Sequence, residues 1–193
     1  MANEPNEDFD AIVAALKKAA AALREAEIPF VLGGGLACWV RGGPESDHDL
    51  DLMLKREDAD RALEVLAEQG MRPERPEEGW LYKAWDEDDV LIDLIFEPIG
   101  MPVTDALIER SEVLEVAAVP MRVMTLEDVL VTKLLALDEH QLDYDPLVQI
   151  ARPLREQIDW EAVRERTAGS PYAAAFFTLG EELGIVELPH NGG

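Results

Sequence analysis

Two aspartates interrupt the most apolar stretches of this chain. Asp51 lies between Leu50 and Leu52-Met53-Leu54, and Asp93 lies inside Leu91-Ile92-Asp93-Leu94-Ile95-Phe96. Their neighbours read as buried strands. A lone carboxylate in such a strand is costly unless it meets a cation, a backbone N–H or a metal ion, so any fold must bring something to both. Asp47, Asp49 and Asp51 are spaced by two, which on a strand sets them in a row on one face. Two unit charges about 4 Å apart repel by roughly 4 kcal/mol at an effective dielectric of about 20. Solvation answers for Asp47 more easily than for Asp51.

The surrounding pattern alternates strands and helices. Phe9, Ile12, Val13, Leu16, Ala20 and Leu23 recur at helical spacing behind Asn6 and Asp8. Phe30-Val31-Leu32 reads as a strand that runs into a tight turn at Gly33-Gly34-Gly35. Leu36–Val40 suffices for about two helical turns at most. It ends at Gly42-Gly43-Pro44, before a strand over Asp47–Leu54. Ala59, Ala62, Leu63 and Leu66 form a helical stripe that stops at Gly70. Arg72 to Gly79 reads as a loop. Trp80–Trp85 and Val90–Phe96 read as strands joined by a solvated acidic turn, Asp86-Glu87-Asp88-Asp89, and one further strand is expected over Val113–Val119, ending before Pro120. From Thr125, which with Asp128 makes a capping box, the period is helical: Leu126 to Leu137, then Pro146–Leu154, Trp160–Arg166 and Ala173–Leu183. The expectation is an α/β (α+β) fold: a core over residues 1–122 with a short mixed sheet flanked by helices, and a helical lobe over 123–193.

Charge narrows the function. The 193 residues carry 17 Lys and Arg against 41 Asp and Glu, a net charge of −24. That argues against DNA, whose binders gain affinity from a basic stripe that releases counterions. A local basic cluster does exist at Arg152, Arg155, Arg164 and Arg166, and Glu156, Asp159 and Glu161 nearby could equally pair with it. No apolar run approaches the roughly 18 residues of a membrane span, and Glu4, Glu7 and Asp8 stand where a signal peptide would carry Lys or Arg. A cytoplasmic protein without membrane contact is expected. The lone Cys38, unable to close a disulfide within the chain, suits a reducing compartment and reads as a small buried apolar residue.

Several metal chemistries fail on spacing. Asp47, Asp49 and Asp51 match the first ligands of a calcium hand, but Leu52 replaces the required glycine and Asp58 falls where a glutamate should be. His48, His140 and His190 are scattered and have no cysteine partner, which counts against zinc. Carboxylates on neighbouring strands, preceded by a glycine turn that opens a short helix, instead suit hard cations and a nucleoside triphosphate. Lys133 interrupts the apolar stripe of its helix. It either lays its stem along the core and reaches water, or directs its ammonium at a phosphate.

The stretches Leu32-Gly33-Gly34-Gly35-Leu36-Ala37, Arg41-Gly42-Gly43-Pro44 and Ser46-Asp47-His48-Asp49-Leu50-Asp51-Leu52, with the separate Ile92-Asp93-Leu94, resemble the glycine and double-carboxylate signature of the DNA polymerase β-like nucleotidyltransferase superfamily. The helical tail, with Lys133 in Val131–Leu137 and Asp145 after it, resembles the bacterial branch of AbiE-type and MenT-type toxins. Here Gly34-Gly35 replaces the common Gly-Ser, leaving backbone N–H groups to meet phosphate, and Glu45 and His48 stand where that branch often has Arg and Lys.

The resemblance implies a magnesium-dependent enzyme that transfers a nucleoside monophosphate from a nucleoside triphosphate to an acceptor hydroxyl and releases pyrophosphate. Two ions are implied, with Mn²⁺ able to take their place. Asp49 and Asp51 would hold the ion on the triphosphate, and Asp93 with Asp49 and Asp51 a second ion at the attacking hydroxyl. Gly34 and Gly35 would cradle phosphate, Lys133 would offset its charge, and Asp145 would lie near the acceptor or the second ion. The toxin branch implies a tRNA acceptor, to which the reading leans, and a cognate antitoxin. The alternatives are a small hydroxylated acceptor of aminoglycoside type, or a non-catalytic nucleotide-binding interaction module.

Overall fold

The computed structural model describes residues 7–45 and 49–186. Ser46, Asp47 and His48 lie outside the described residues, as does His190, so the row of aspartates on the strand is followed from Asp49 onward.

The sheet of the described residues has seven strands, β1 (Val31–Leu32), β2 (Asp49–Met53), β3 (Arg72–Glu74), β4 (Leu81–Trp85), β5 (Leu91–Ile95), β6 (Glu112–Val116) and β7 (Val119–Val123). Their spatial order is β3-β4-β5-β2-β1-β7-β6. It is mixed: β2 runs parallel to β5 and β1 parallel to β7, while the remaining neighbours are antiparallel. Alternation sorts its two faces. Leu50 and Leu52, Ile92 and Leu94, and Tyr82 and Ala84 are buried, and helices α1 (Glu7–Glu25) and α3 (Arg56–Glu68) pack on these strands. The apolar stripes on those helices, Phe9, Ile12, Leu16 and Leu23 on α1 and Ala59, Leu63 and Leu66 on α3, are buried in the same core. The other face carries Asp49, Asp51, Asp93 and Lys83.

Three elements differ from the sequence expectation. The stretch after Arg72 is not all loop, because Arg72–Glu74 pairs with Lys83–Trp85 as an edge strand. All three of its residues are exposed, so no hydrophobic alternation marks it, and Pro73 is tolerated at an edge. The single strand expected over Val113–Val119 is a hairpin. Ala117 and Ala118 turn it with φ of 49° and 68°, and Val116 pairs with Val119. The left-handed turn is the kind that suits a two-residue hairpin, but two alanines do not announce it. Pro120 then falls inside β7, away from the pairing with β1, which is made at Val123. A short helix, α4 (Asp105–Arg110), was also not expected.

The chain from Leu126 is helical as the periodicity indicates, with α5 (Leu126–Leu135), α6 (Asp145–Leu154), α7 (Trp160–Arg166) and α8 (Pro171–Glu182). Side chains cap three of them. The N–H groups of Asp128, Ala162 and Ala173 donate to Thr125, Asp159 and Ser170. The buried residues from Phe9 to Val186 form one continuous cluster, so these helices share the core of the sheet.

Asp128 does more than follow the cap. It is one of two buried charged side chains among the described residues, the other being Asp93. Arg110 Nε donates to one of its oxygens at 2.7 Å and Arg166 Nη2 to the other at 2.5 Å, which joins α4, α5 and α7. Burial works to raise its pKa, but the two guanidiniums outweigh burial and hold it below the usual carboxylate value. A depressed folded-state pKa contributes stability that is present above the unfolded value of roughly 3.9 and is lost as pH falls through the folded one. Asp128→Asn should therefore destabilise the fold by about 1.5–3 kcal/mol at pH 7. In urea titrations the gap to the parent should narrow below about pH 4; a gap that is constant with pH would contradict the assignment.

Candidate active site

Strand register builds the site. Asp51 pairs with Asp93 across β2 and β5, and Asp93 pairs with Lys83 across β5 and β4, which in turn faces Glu74 on β3. One row across four strands thus reads Glu74, Lys83, Asp93, Asp51, all on the face away from α1 and α3. Asp49 stands beside this row on the same face, two residues before Asp51. The register that follows from burying Leu50, Leu52, Ile92 and Leu94 leaves the carboxylates no other face.

The glycine turn closes against the row. Gly33 N–H donates to the Asp51 carbonyl at 2.9 Å, and Gly34, at φ +55°, opens the short helix α2 (Gly34–Trp39). A Cβ at Gly34 would fall on the Asp51 carboxylate, so both the backbone conformation and the space demand glycine. Next to this approach lies a cleft of about 680 Å³. Its lining includes Gly34, Asp51, Met53, Thr132 and Lys133, together with Glu78, Gly79, Trp80, Glu97 and Ile99. Ile99 and Gly100 both take left-handed φ in a short 3₁₀ turn, Pro98–Gly100, a conformation a β-branched residue rarely adopts.

Electrostatics mark Asp51 and Asp93. Burial first, then the charges of Asp93 and Asp49, push the Asp51 carboxyl up to about 7, against the opposing pull of Lys133 and Lys83. Burial also raises Asp93, although Lys83 Nζ donates to its Oδ1 at 3.1 Å. Lys133 acts on Asp51 through its charge and lines the cleft, which separates it from a lysine that only reaches bulk water.

The other expected residues are placed differently. Gly35 follows Gly34 in the first turn of α2 but does not line the cleft. Asp145 opens α6, is exposed, accepts from Gln149 Nε2 at 2.5 Å and does not line the cleft. Of the arginine cluster, Arg155 pairs with Glu156, Arg164 with Glu181 and Arg166 with Asp128, and none lines the cleft. Arg152 is exposed at the end of α6.

Lys83, Glu78, Trp80 and Glu97 escaped the sequence reading. For Lys83 a signal existed: counting equal steps outward from Asp88 in the acidic turn reaches Lys83 on one side and Asp93 on the other. No pattern pointed to the other three, which meet through the loop before β4 and the end of β5.

The donor set is made of carboxylate oxygens, the ligands that hard divalent cations take, and a cation would relieve the repulsion that raises Asp51. Among the described residues no three His, Cys, Asp or Glu side chains converge closely enough to enclose an ion. Asp49 and Asp51, two apart on one strand, fit one by their chemistry and placement.

In metal-free protein a raised carboxyl disfavours folding as pH rises from the unfolded-state value, roughly 3.9, through the folded-state one. Asp51→Asn should therefore gain in melting temperature over the parent between pH 5 and pH 8 without divalent ions. A pH-independent difference would count against the raised pKa. Gly34→Ala should lose about 1–2 kcal/mol from its left-handed backbone alone, before the clash with Asp51 is added. Chemical denaturation would measure it.

The sequence profile of a family described as an uncharacterised nucleotidyltransferase matches residues 7–178. Among curated proteins none matches significantly. Solved structures share the fold. The antibiotic-resistance factor ANT(2'')-Ia, determined in solution, superposes with a TM-score of 0.59 at 19% identity, over 89% of this chain and 96% of its own. Its crystal structure in complex with adenylyl-2''-tobramycin gives 0.60 at 18% identity, over 85% and 98%. An antigenic nucleotidyltransferase-like protein from Paracoccidioides brasiliensis gives 0.54 at 13% identity, over 94% of each chain.

Proposed function

Because the chain belongs to this uncharacterised nucleotidyltransferase family and is an enzyme of that type, we propose that it moves a nucleoside monophosphate from a nucleoside triphosphate to a hydroxyl of a small cationic acceptor. The observation that carries the transfer is the row of aspartates on one sheet face beside Gly34 and Lys133. The acceptor oxygen attacks the α-phosphorus, the bond from that phosphorus to the bridging oxygen breaks, and pyrophosphate leaves. A divalent cation such as Mg²⁺, held by Asp49 and Asp51, would neutralise triphosphate charge when bound. The Lys133 ammonium, in the lining of the same cleft, adds to that neutralisation. The backbone N–H groups of Gly34 and Gly35, in the first turn of α2, are the other donors toward phosphate. The hydroxyl proton passes to the Asp93 carboxylate, which burial makes a stronger base than a free aspartate.

The acceptor class follows from the cleft lining apart from Asp51 and Lys133. Its charged side chains are Glu78 and Glu97, and the indole of Trp80 is 38% exposed beside them. Carboxylates and an aromatic face recognise protonated amines, and a net charge of −24 attracts a cation at long range. ANT(2'')-Ia, whose fold is similar, has a crystal structure in complex with adenylyl-2''-tobramycin. The tRNA and antitoxin expected from the toxin-like tail have less support, since three of the four arginines that would grip RNA are engaged with carboxylates of this chain.

The protein would be incubated with each labelled nucleoside triphosphate and Mg²⁺, together with hydroxylated polyamines, aminoglycosides or total tRNA. Label should pass to a small cation, and Asp49→Asn or Asp51→Asn should abolish it. Labelled tRNA would return the acceptor to RNA. Lys133→Ala should weaken triphosphate binding or transfer by roughly ten- to a hundredfold, the value of a charge-assisted contact. Glu78→Gln with Glu97→Gln should raise the acceptor KM and leave the triphosphate KM unchanged.

A further inference from the structure

Lys83 has no part in the reaction as described, yet it occupies the centre of the carboxylate row. Its ammonium lies 3.1 Å from Asp93 Oδ1, with the two side chains 24% and 10% exposed. Its other neighbour in the row, Glu74, accepts from the indole N–H of Trp85 at 3.1 Å, so Asp93 is the one ion-pair partner of Lys83 among the described residues. Asp49 and Asp51 have no such partner among the described residues. The three aspartates are thus unequal: one carries a built-in cation, and two stand side by side on one strand without an ion-pair partner among the described residues.

A divalent ion seated on Asp49 and Asp51 would meet two carboxylates with no ion-pair partner among the described residues. A second ion bridging to Asp93 would have to settle beside an ammonium already at hydrogen-bonding distance from that carboxylate, against direct charge repulsion. We propose that Lys83 is a positioning residue that stands in for the second cation, so that this site takes a single divalent ion. Lys83 holds the Asp93 side chain by one oxygen, Oδ1, and leaves the other to the reacting hydroxyl. Two ions per site, as the sequence resemblance implies, would then apply to a face without this lysine. The inference rests on the reading above that Asp49 and Asp51 form the ion site.

Manganese counting by electron paramagnetic resonance, on the full chain with a non-hydrolysable nucleoside triphosphate, tests it without relying on turnover. The parent should bind one Mn²⁺ per chain. Lys83→Met should bind two, and Lys83→Arg should return the count to one. Asp93→Asn should keep the single ion, because in the parent Asp93 is committed to Lys83; this variant leaves the lysine in place if Lys83→Met fails to fold. Two ions in the parent, one ion in a folded Lys83→Met, or loss of the ion in Asp93→Asn would each overturn the proposal. Asp49→Asn with Asp51→Asn separates the two levels: an ion retained in that double variant overturns the underlying site reading, whatever Lys83 does.

Discussion

The carboxylate of Asp51 lies against Gly34, so close that no residue with a Cβ fits there, and this approach links strand, turn and helix. It holds the end of β1 to β2 through the Gly33–Asp51 backbone bond. It also sets the start of α2 beside the row of aspartates and covers part of the Asp51 carboxylate. The raised pKa of Asp51 is the electrostatic trace of the same arrangement: a half-buried residue whose carboxylate is desolvated, with two others on its face and no ammonium at ion-pair distance among the described residues.

The sheet divides its labour between two faces. One is sealed by α1 and α3 over leucines and isoleucines, and that burial drives folding. Because side chains alternate, burying Leu50 and Leu52 obliges Asp49 and Asp51 to face the other way, and the parallel pairing with β5 adds Asp93 beside them. The charged face is therefore a by-product of the apolar one, and slipping β2 by one residue would exchange them. Lys83 enters by the same logic from β4.

The second side of the cleft depends on α5, whose position is tied down by Asp128. Its bonds to Arg110 and Arg166 pull α4 and α7 onto the start of that helix, and further along the same helix Thr132 and Lys133 look into the cleft. The arginine that could have met a nucleic acid is thereby spent on the frame. The excess of negative charge is left on the surface and, through Glu78 and Glu97, at the cleft.

Much of this was written locally. The strand positions of Asp51 and Asp93, the glycine turn, the capped helix at Thr125 and the misfit of Lys133 on an apolar stripe are all properties of neighbours along the chain, and periodicity exposes them. What local pattern left dark has a physical reason in each case. The edge strand at Arg72–Glu74 buries nothing and so shows no alternation. The hairpin at Ala117-Ala118 relies on left-handed alanines held by the pairing on either side of the turn. Asp145, although marked by its place in the tail, stands away from the cleft because α6 turns it to solvent. By itself the sequence determined that two aspartates sit in apolar strands and that the more buried of them, Asp93, needs an answering charge. Only the tertiary structure decided which charge answers: Asp93 meets Lys83 on the neighbouring strand and Asp128 meets Arg110 and Arg166 on two other helices, Asp51 meets no cation at ion-pair distance among the described residues, and these distances exist only once the sheet has chosen its register.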